Sequence, residues 1–346
     1  MFEYVLLDPV ASVLLGKKFV DYSGSKNEWD CFVKETGWDK ALHLYAENRV
    51  KIAVILGHDL MCLVPNPLPP VSIEGNADLE YNRKIKILEE TDDPVERLKR
   101  RNDVFGTTQS IHEDSYIIYS YVKEEMQKQG IDIPILAPAY YHGVWDDIDL
   151  MQTMIIEPEI AHTHFSIATK KALSAIDKYS EFGIDQFGIG GDFAGNRLII
   201  SPESYKKFIV PELCILSNHI HAGGGWAINA SDGNLWPVIE DFLINSGVDG
   251  YLEIDMRAEM DLAKLKRMYG DRITFYGNMD CGEILSFCTV EEIKKYTAAC
   301  ITAGLGNGGH IFCASNAITA TVSLDNYIAM VNEYKDMFNL PQISLF

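Results

Sequence analysis

Five short apolar runs in the C-terminal half each end in a polar cluster. They read FGIGGDFAGN from Phe187, WAINASDGN from Trp226, GYLEID from Gly250, ITFYGNMD from Ile273 and HIFCASN from His310. Each follows a stretch with the amphipathic spacing of a helix, so apolar strand, polar tip and helix recur in order. A chain of this kind collects its tips at one end of a parallel sheet or barrel. Asp192, Asn196, Asn229, Asp232, Glu253, Asp255, Asn278, Asp280, Cys313 and Asn316 are therefore predicted neighbours, although they are spread over the C-terminal half.

The same pattern places strand starts near Asp59, Ile133, Asp185, Trp226, Val248, Ile273 and His310. That makes seven strands, with room for an eighth in the irregular N-terminal third. Helical periodicity covers Ala41 to Gly57, Asp114 to Gln129 and most of Met151 to Phe182, and the opening stretch MFEYVLLDPVASVLLGKK also reads as a helix. Pro65 to Pro70 and the SIEGNADLEYNRKIKI that follows suggest a long excursion with a hairpin. Thr289 and Glu292 have capping-box spacing, and Ser201 precedes a proline in the first helical turn. No internal low-complexity linker interrupts residues 1–346. The predicted fold is α/β: one domain, a (β/α)8 TIM barrel with an elaborated N-terminal segment. A doubly wound open sheet is the alternative, although no GxGxxG opens a helix.

Composition narrows the partners. The 50 acids outnumber the 30 lysines and arginines, for a net charge of −20, which repels phosphate backbones and anionic lipid. Nucleic-acid and membrane-surface roles are thus disfavoured. No apolar run approaches the ~20 residues of a membrane-spanning helix. The seven cysteines are scattered without a CxxC pair, and no cleavable leader is evident, so a cytoplasmic protein is expected.

Each candidate has a bland reading beside the functional one. Asp232 could cap the next helix, but Asn234 could do that too, and Asn229 and Ser231 share its tip. Asp192 and Asn196 could belong to a glycine-rich turn. Glu253 and Asp255 alternate about Ile254, so they leave the strand on one side, as do Asn278 and Asp280. Glu253 is the favoured member of its pair. Cys313 is either a small core residue or a site-lining thiol. Tyr140, Tyr141 and His142 tip the strand IPILAPAYYHG, where aromatic walls and one histidine for acid–base work or ligation would stand together. His58, His219, His221 and His310 read as structural or surface residues.

The segments GGDFAGNRLIISPESYKKFIVPEL, SDGNLWPVIEDFLINSGVDGYLEID, MDLAKLKRMYGDRITFYGNMD, and GGHIF with SLDNYIAMV resemble the uroporphyrinogen decarboxylase superfamily. The resemblance runs from about Ile131 to Phe338 and is nearest the corrinoid-dependent methyltransferases of the coenzyme M and O-demethylase type. It implies a (β/α)8 barrel with its site at the C-terminal strand ends. Two departures stand out. The arginine-rich RQAGRY-type segment of true uroporphyrinogen decarboxylases is missing before Asp59. The His-x-Cys and distant Cys that hold zinc in coenzyme M methyltransferases fall at Ala230, Asp232 and Asn316, so no metal ligand is assigned and zinc is left open.

The resemblance therefore implies a methyltransferase. It would move a methyl group between a small substrate and a corrinoid (a cobalamin-type cofactor) on a partner protein. Expected catalytic residues are Asp232, Glu253 and His142. Expected substrate contacts are Tyr140, Tyr141, Asp192, Asn196, Asn229, Asn278, Asp280, Cys313 and Asn316. A decarboxylase or lyase of a small acid is one rival, and it needs a cation for which Arg197 is the obvious choice. A non-catalytic member that binds a corrinoid or a partner is the other.

Overall fold

The computed structural model describes residues 1–4, 6, 8–70, 91–106 and 112–344. Its strands are β1 (Met61–Cys62), β2 (Ile135–Tyr141), β3 (Gln186–Gly190), β4 (Trp226–Ala230), β5 (Gly250–Leu252), β6 (Thr274–Tyr276) and β7 (His310–Ile311). All seven begin within two residues of where the apolar runs place them. Strand order is chain order. A doubly wound sheet would reverse that order partway along, so the open-sheet alternative is not adopted. The expected hairpin after Pro70 lies outside the described residues.

The chain divides into two compact units that it visits in turn. The first comprises Met1–Asn66, Ile117–Leu136 and Gly250–Phe346; the second comprises Pro67–Tyr116 and Ala137–Asp249. Among the described residues no helix is long and apolar enough to cross a membrane.

In the first unit β1 pairs in parallel with the start of β2, Met61 opposite Ile135. β5 pairs in parallel with β6, and β6 with β7. The N-terminal stretch departs from expectation. Only Asp8–Leu15 is helical, with Pro9 in the first turn, where its missing N–H is no loss. Before it, Met1 accepts at its carbonyl from Asp59 N (2.8 Å), Phe2 N donates to Phe312 O (3.2 Å), and Leu6 bridges Ile318 in parallel. Met1, Phe2 and Leu6 thus run between β1 and β7. The reason is side-chain burial: Phe2 is fully enclosed and meets Tyr276 edge-on at 5.9 Å.

Glu3 is buried in that seam. One carboxyl oxygen lies 3.5 Å from Ala314 N, and the other has no hydrogen-bond partner among the described residues. Burial pushes its pKa from 4.5 up to about 8, against the smaller opposing effects of Ala314 N–H, Tyr327 and the terminal ammonium. The folded state therefore holds this proton more tightly than the unfolded chain. The stabilisation it brings is complete below pH 4.5, is lost as pH rises toward 8, and does not decline further above that. Glu3→Gln stays neutral throughout. Its melting temperature is expected to gain on the parent's between pH 5 and 8, by at most ~1.4 kcal/mol of stability per pH unit. Parallel melting profiles across that window would remove Glu3 from the account.

In the second unit β3 and β4 pair in parallel over five positions, Gln186 opposite Trp226 through Gly190 opposite Ala230. Their outer cover includes the long helix Pro158–Glu181 and a helix from Pro202 to Ala222 that widens to a π-turn over Tyr205–Ile209. Ser201 caps the latter, accepting from Ser204 N at 3.0 Å. Two arginines on the helix Pro94–Gly106 grip the helix Ile148–Ile156 at its start. Arg97 binds Asp149 through two bonds (2.6 and 2.9 Å), and Arg101 binds Asp147 likewise (2.7 and 2.9 Å). Such forked pairs are the stronger and more directional form of the contact.

Candidate active site

Three strand ends of the second unit bring chemistry together. Hydrogen bonding runs on past the strands: His142 N donates to Gly190 O and Gly191 N to Ala230 O, both at 3.0 Å. Gly190 and Gly191 lie at φ 150° and 129°. A Cβ on Gly190 would fall 2.3 Å from Asn229 Oδ1, and one on Gly191 would fall 2.5 Å from the Tyr141 ring. Only glycine allows these tips to close up. Asp192 follows immediately, and its Oδ1 accepts from Asp232 N at 2.9 Å, coupling the β3 tip to the β4 tip.

Asp232 itself is half-buried, and its carbonyl accepts from Ser231 Oγ at 3.0 Å. The next turn is capped by Asn234, whose Oδ1 accepts from Trp236 N at 3.2 Å. Gly233 presses against Ala194, where a Cβ would sit 2.5 Å from backbone, so the two tips are packed together.

His142 is almost completely buried. Its Nδ1 accepts from Val144 N at 3.2 Å, so the ring proton resides on Nε2. That Nε2 has no hydrogen-bond partner among the described residues. Tyr141 lies parallel to the ring (5.9 Å, 13°) and Phe193 meets it edge-on (5.9 Å). Burial pulls the imidazole pKa down to about 4, with a backbone contact from Gly191 opposing. At neutral pH His142 is thus a neutral N–H donor in an aromatic setting, not a charged acid. Tyr141 is half-exposed and donates to Asp146 Oδ2 at 2.7 Å; Trp145 beside it is also half-exposed.

Other predicted contacts in this unit sit differently. Asn229 is buried, with Nδ2 donating to Phe242 O (3.1 Å) and Oδ1 accepting from Ala230 N (3.0 Å). Its amide is committed to backbone. Tyr140 is buried, and Thr169 and Glu212 of the covering helices influence its hydroxyl. Asn196 is exposed on the turn that joins Ala194 to Leu198.

The first unit holds the remaining candidates. Glu253 follows β5 at φ 73° and is half-buried; its charge is felt by Cys62 at the end of β1 and by Cys313 after β7. Cys313 is fully buried, and burial with the nearby Glu3 pushes its thiol pKa well up. Asp280 accepts from Gly282, Glu283 and Ile284 N–H groups (3.2, 2.8 and 3.0 Å) and is the cap of a short helix. Asp255 caps the turn at Met256–Ala258 in the same way. Asn278 is buried and lines a cleft of about 470 Å³ with Met260, Tyr296 and Cys300. Asn316 Oδ1 accepts from Ala317 N at 2.6 Å.

The three positions where the resemblance would place zinc do not fit that ion. Ala230 offers no donor atom, and the Asn316 amide oxygen is a poor substitute for a thiolate. No group of three or more His, Cys, Asp or Glu suited to a metal occurs among the described residues.

Sequence reading missed two charged residues of the first unit, Glu3 and Arg49. Arg49 Nη2 donates to Cys62 O at 2.6 Å from the helix Trp38–Leu56. The signal was present: Arg49 is flanked by Asn48 and Val50, both on the buried side of an otherwise amphipathic helix.

Residues 143–337 match the family model for uroporphyrinogen decarboxylase (URO-D). Curated relatives are the uroporphyrinogen decarboxylases of Coxiella burnetii strains Dugway 5J108-111 and RSA 493, each 24% identical over 181 residues. Those matches take in 51% of this chain and 47% of theirs, so the chain spans about half the length of the curated relatives it matches. Among solved structures, a methyltransferase from Methanosarcina mazei aligns over 95% of this chain and 98% of its own, with a TM-score of 0.59 and 19% identity. A putative vitamin-B12-independent methionine synthase from Listeria monocytogenes aligns over 97% and 96%, with a TM-score of 0.51 and 10% identity. At these identities the likeness is one of fold.

Proposed function

The chain belongs to the uroporphyrinogen decarboxylase (URO-D) family, and from that membership and the strand-end geometry we propose that it is a cytoplasmic methyltransferase. It would transfer a methyl group between a small molecule and a corrinoid carried by a partner protein. The proposed fold is a single (β/α)8 barrel domain over 1–346, with Met1, Phe2 and Leu6 in the eighth place between β1 and β7.

The observation that carries this reading is the junction of His142, Asp192 and Asp232. Demethylation of a heteroatom needs its leaving group stabilised as the methyl departs. Asp232, held at its backbone by Asp192, supplies a carboxyl group that exchanges a proton with that heteroatom. His142 Nε2–H offers a neutral hydrogen bond to developing negative charge and stays uncharged while doing so. Tyr141 and Trp145 present half-exposed aromatic faces, which suits a flat macrocycle brought up from outside. When bound, the corrinoid supplies the cobalt centre that takes or gives the methyl group. Zinc is not part of the proposal.

The test is direct. Purified protein, mixed with a methylated donor and a corrinoid protein, is expected to transfer methyl groups while metal analysis finds well under one zinc per chain. Stoichiometric zinc would show the donor set to be misread. The second reading is a decarboxylase or lyase of a small acid, in keeping with the names of the curated relatives. Release of carbon dioxide with no methyl transfer would establish it instead.

A further inference from the structure

We propose that the cleft beside the end of β6 binds an uncharged, planar heterocycle of the purine type. The ligand presents an edge on which a hydrogen-bond donor and an acceptor stand side by side. The site lies wholly in the first unit and uses none of the residues given a role in methyl transfer.

The cleft holds about 470 Å³ and is lined from the turn Met256–Ala258, the helix Leu262–Tyr269 and the helix Val290–Gly304. That is a small-molecule size. One buried amide belongs to its lining. Asn278, two residues beyond β6, is 3% exposed, and its side chain enters no hydrogen bond among the described residues. Its backbone is what engages the neighbouring helix, at the Cys300 thiol. The side-chain donor and acceptor thus remain unused. A buried amide in that state costs free energy, and native proteins leave few of them. A molecule offering the complementary pair removes the cost. Asparagine meets the adenine edge in this way, donating to N7 and accepting from the 6-amino group.

The walls suit a flat ring. Met256, Met260 and Cys300 supply polarizable sulfur, and Tyr296 adds an exposed aromatic face. Thioethers pack favourably against aromatic rings, and aromatic side chains stack on bases. Charge then narrows the class. Glu259 and Asp261 are exposed members of the lining, and no lysine or arginine occurs among the described residues that line the cleft. In a chain of net charge −20, a mouth of this kind repels phosphate and carboxylate groups. A free base or nucleoside is therefore favoured over a nucleotide.

The experiment reads binding to the intact chain, so it succeeds or fails independently of methyl transfer. Saturation-transfer NMR titrations use adenosine, AMP and purine riboside, which lacks the 6-amino donor. The parent is expected to bind adenosine, and to bind each of the other two about tenfold more weakly. Asn278→Leu keeps the size of the side chain without its polar pair. It is expected to weaken adenosine binding about tenfold, with a melting temperature no lower than the parent's. Ala299→Trp fills the cleft from an exposed position on the helix Val290–Gly304 and covers the case in which the Leu variant does not fold. It is expected to abolish the adenosine signal. Equal binding of purine riboside would overturn recognition through the edge, and equal binding of AMP would overturn the selection by charge. Adenosine binding unchanged in both variants, or absent from the parent at millimolar adenosine, would overturn the site itself.

Discussion

Replacing Asp232 with asparagine is expected to slow methyl transfer by about 10²–10⁴-fold, the usual loss when a general acid or base is removed. The melting temperature should stay nearly unchanged. The fold gives specific reasons for separating the two effects. Asn234 Oδ1 accepts from Trp236 N in the following turn, a bond that the substitution leaves in place. The tie to the β3 tip runs through the Asp232 backbone N–H to Asp192, which the substitution leaves in place. Asparagine keeps the size of the side chain and removes only its charge and its proton. A capping aspartate replaced this way would lose little in either quantity, since Asn caps as well as Asp. Measuring initial rates and melting curves on the same preparation decides the matter. Full turnover in the variant would take Asp232 out of the chemistry.

His142→Phe is expected to show the converse separation, a rate loss on the same scale with stability held within about 1 kcal/mol. The ring occupies an aromatic niche between Tyr141 and Phe193 that a phenyl group can fill. Losing the bond from Val144 N costs about what relief of the unpartnered Nε2–H returns. What disappears is the neutral donor. The pH profile gives a second readout. With its pKa near 4, His142 does not change charge between pH 5 and 8, so the parent rate should carry no histidine inflection there. The neutral ring's contribution to stability is present above the ordinary histidine range and fades as pH falls toward 4. An inflection near pH 6.5 that vanishes in the Phe variant would mean that the ring titrates freely and is not held as described.

The large features were legible because they repeat. Strand starts at Trp226 and His310 and the Thr289–Glu292 capping box follow from local pattern, and the structure has all three. What a strand-end acid does was not legible. Asp255 and Asp280 read in sequence as site acids, yet both turn back onto nearby backbone N–H groups. Such a turn depends on the backbone path of the residues that follow, which composition does not reveal. Asn229 was equally opaque: its amide faces Phe242 because a π-turn over Asp241–Asn245 brings that carbonyl within reach. Glu3 and Arg49 were hidden for another reason. Each is a single charge in an apolar or amphipathic run, and its burial depends on segments far away in the chain. The opening helix was overextended because Met1, Phe2 and Leu6 find backbone partners far away in the chain, at Asp59, Phe312 and Ile318.

That seam also has a consequence for how the protein is made. Met1, Phe2 and Leu6 are added to the growing chain well before Phe312 and Ile318, which follow them by about three hundred residues. At about 5–20 residues per second the wait is on the order of tens of seconds. Throughout it Phe2, which the finished protein encloses completely, has no packing partner at Phe312 or Ile318. Nascent chains that stall between residues 62 and 312 should therefore be sticky around Phe2 and draw on chaperones. Closing the seam would then be a late step of folding, dominated by contacts distant in sequence.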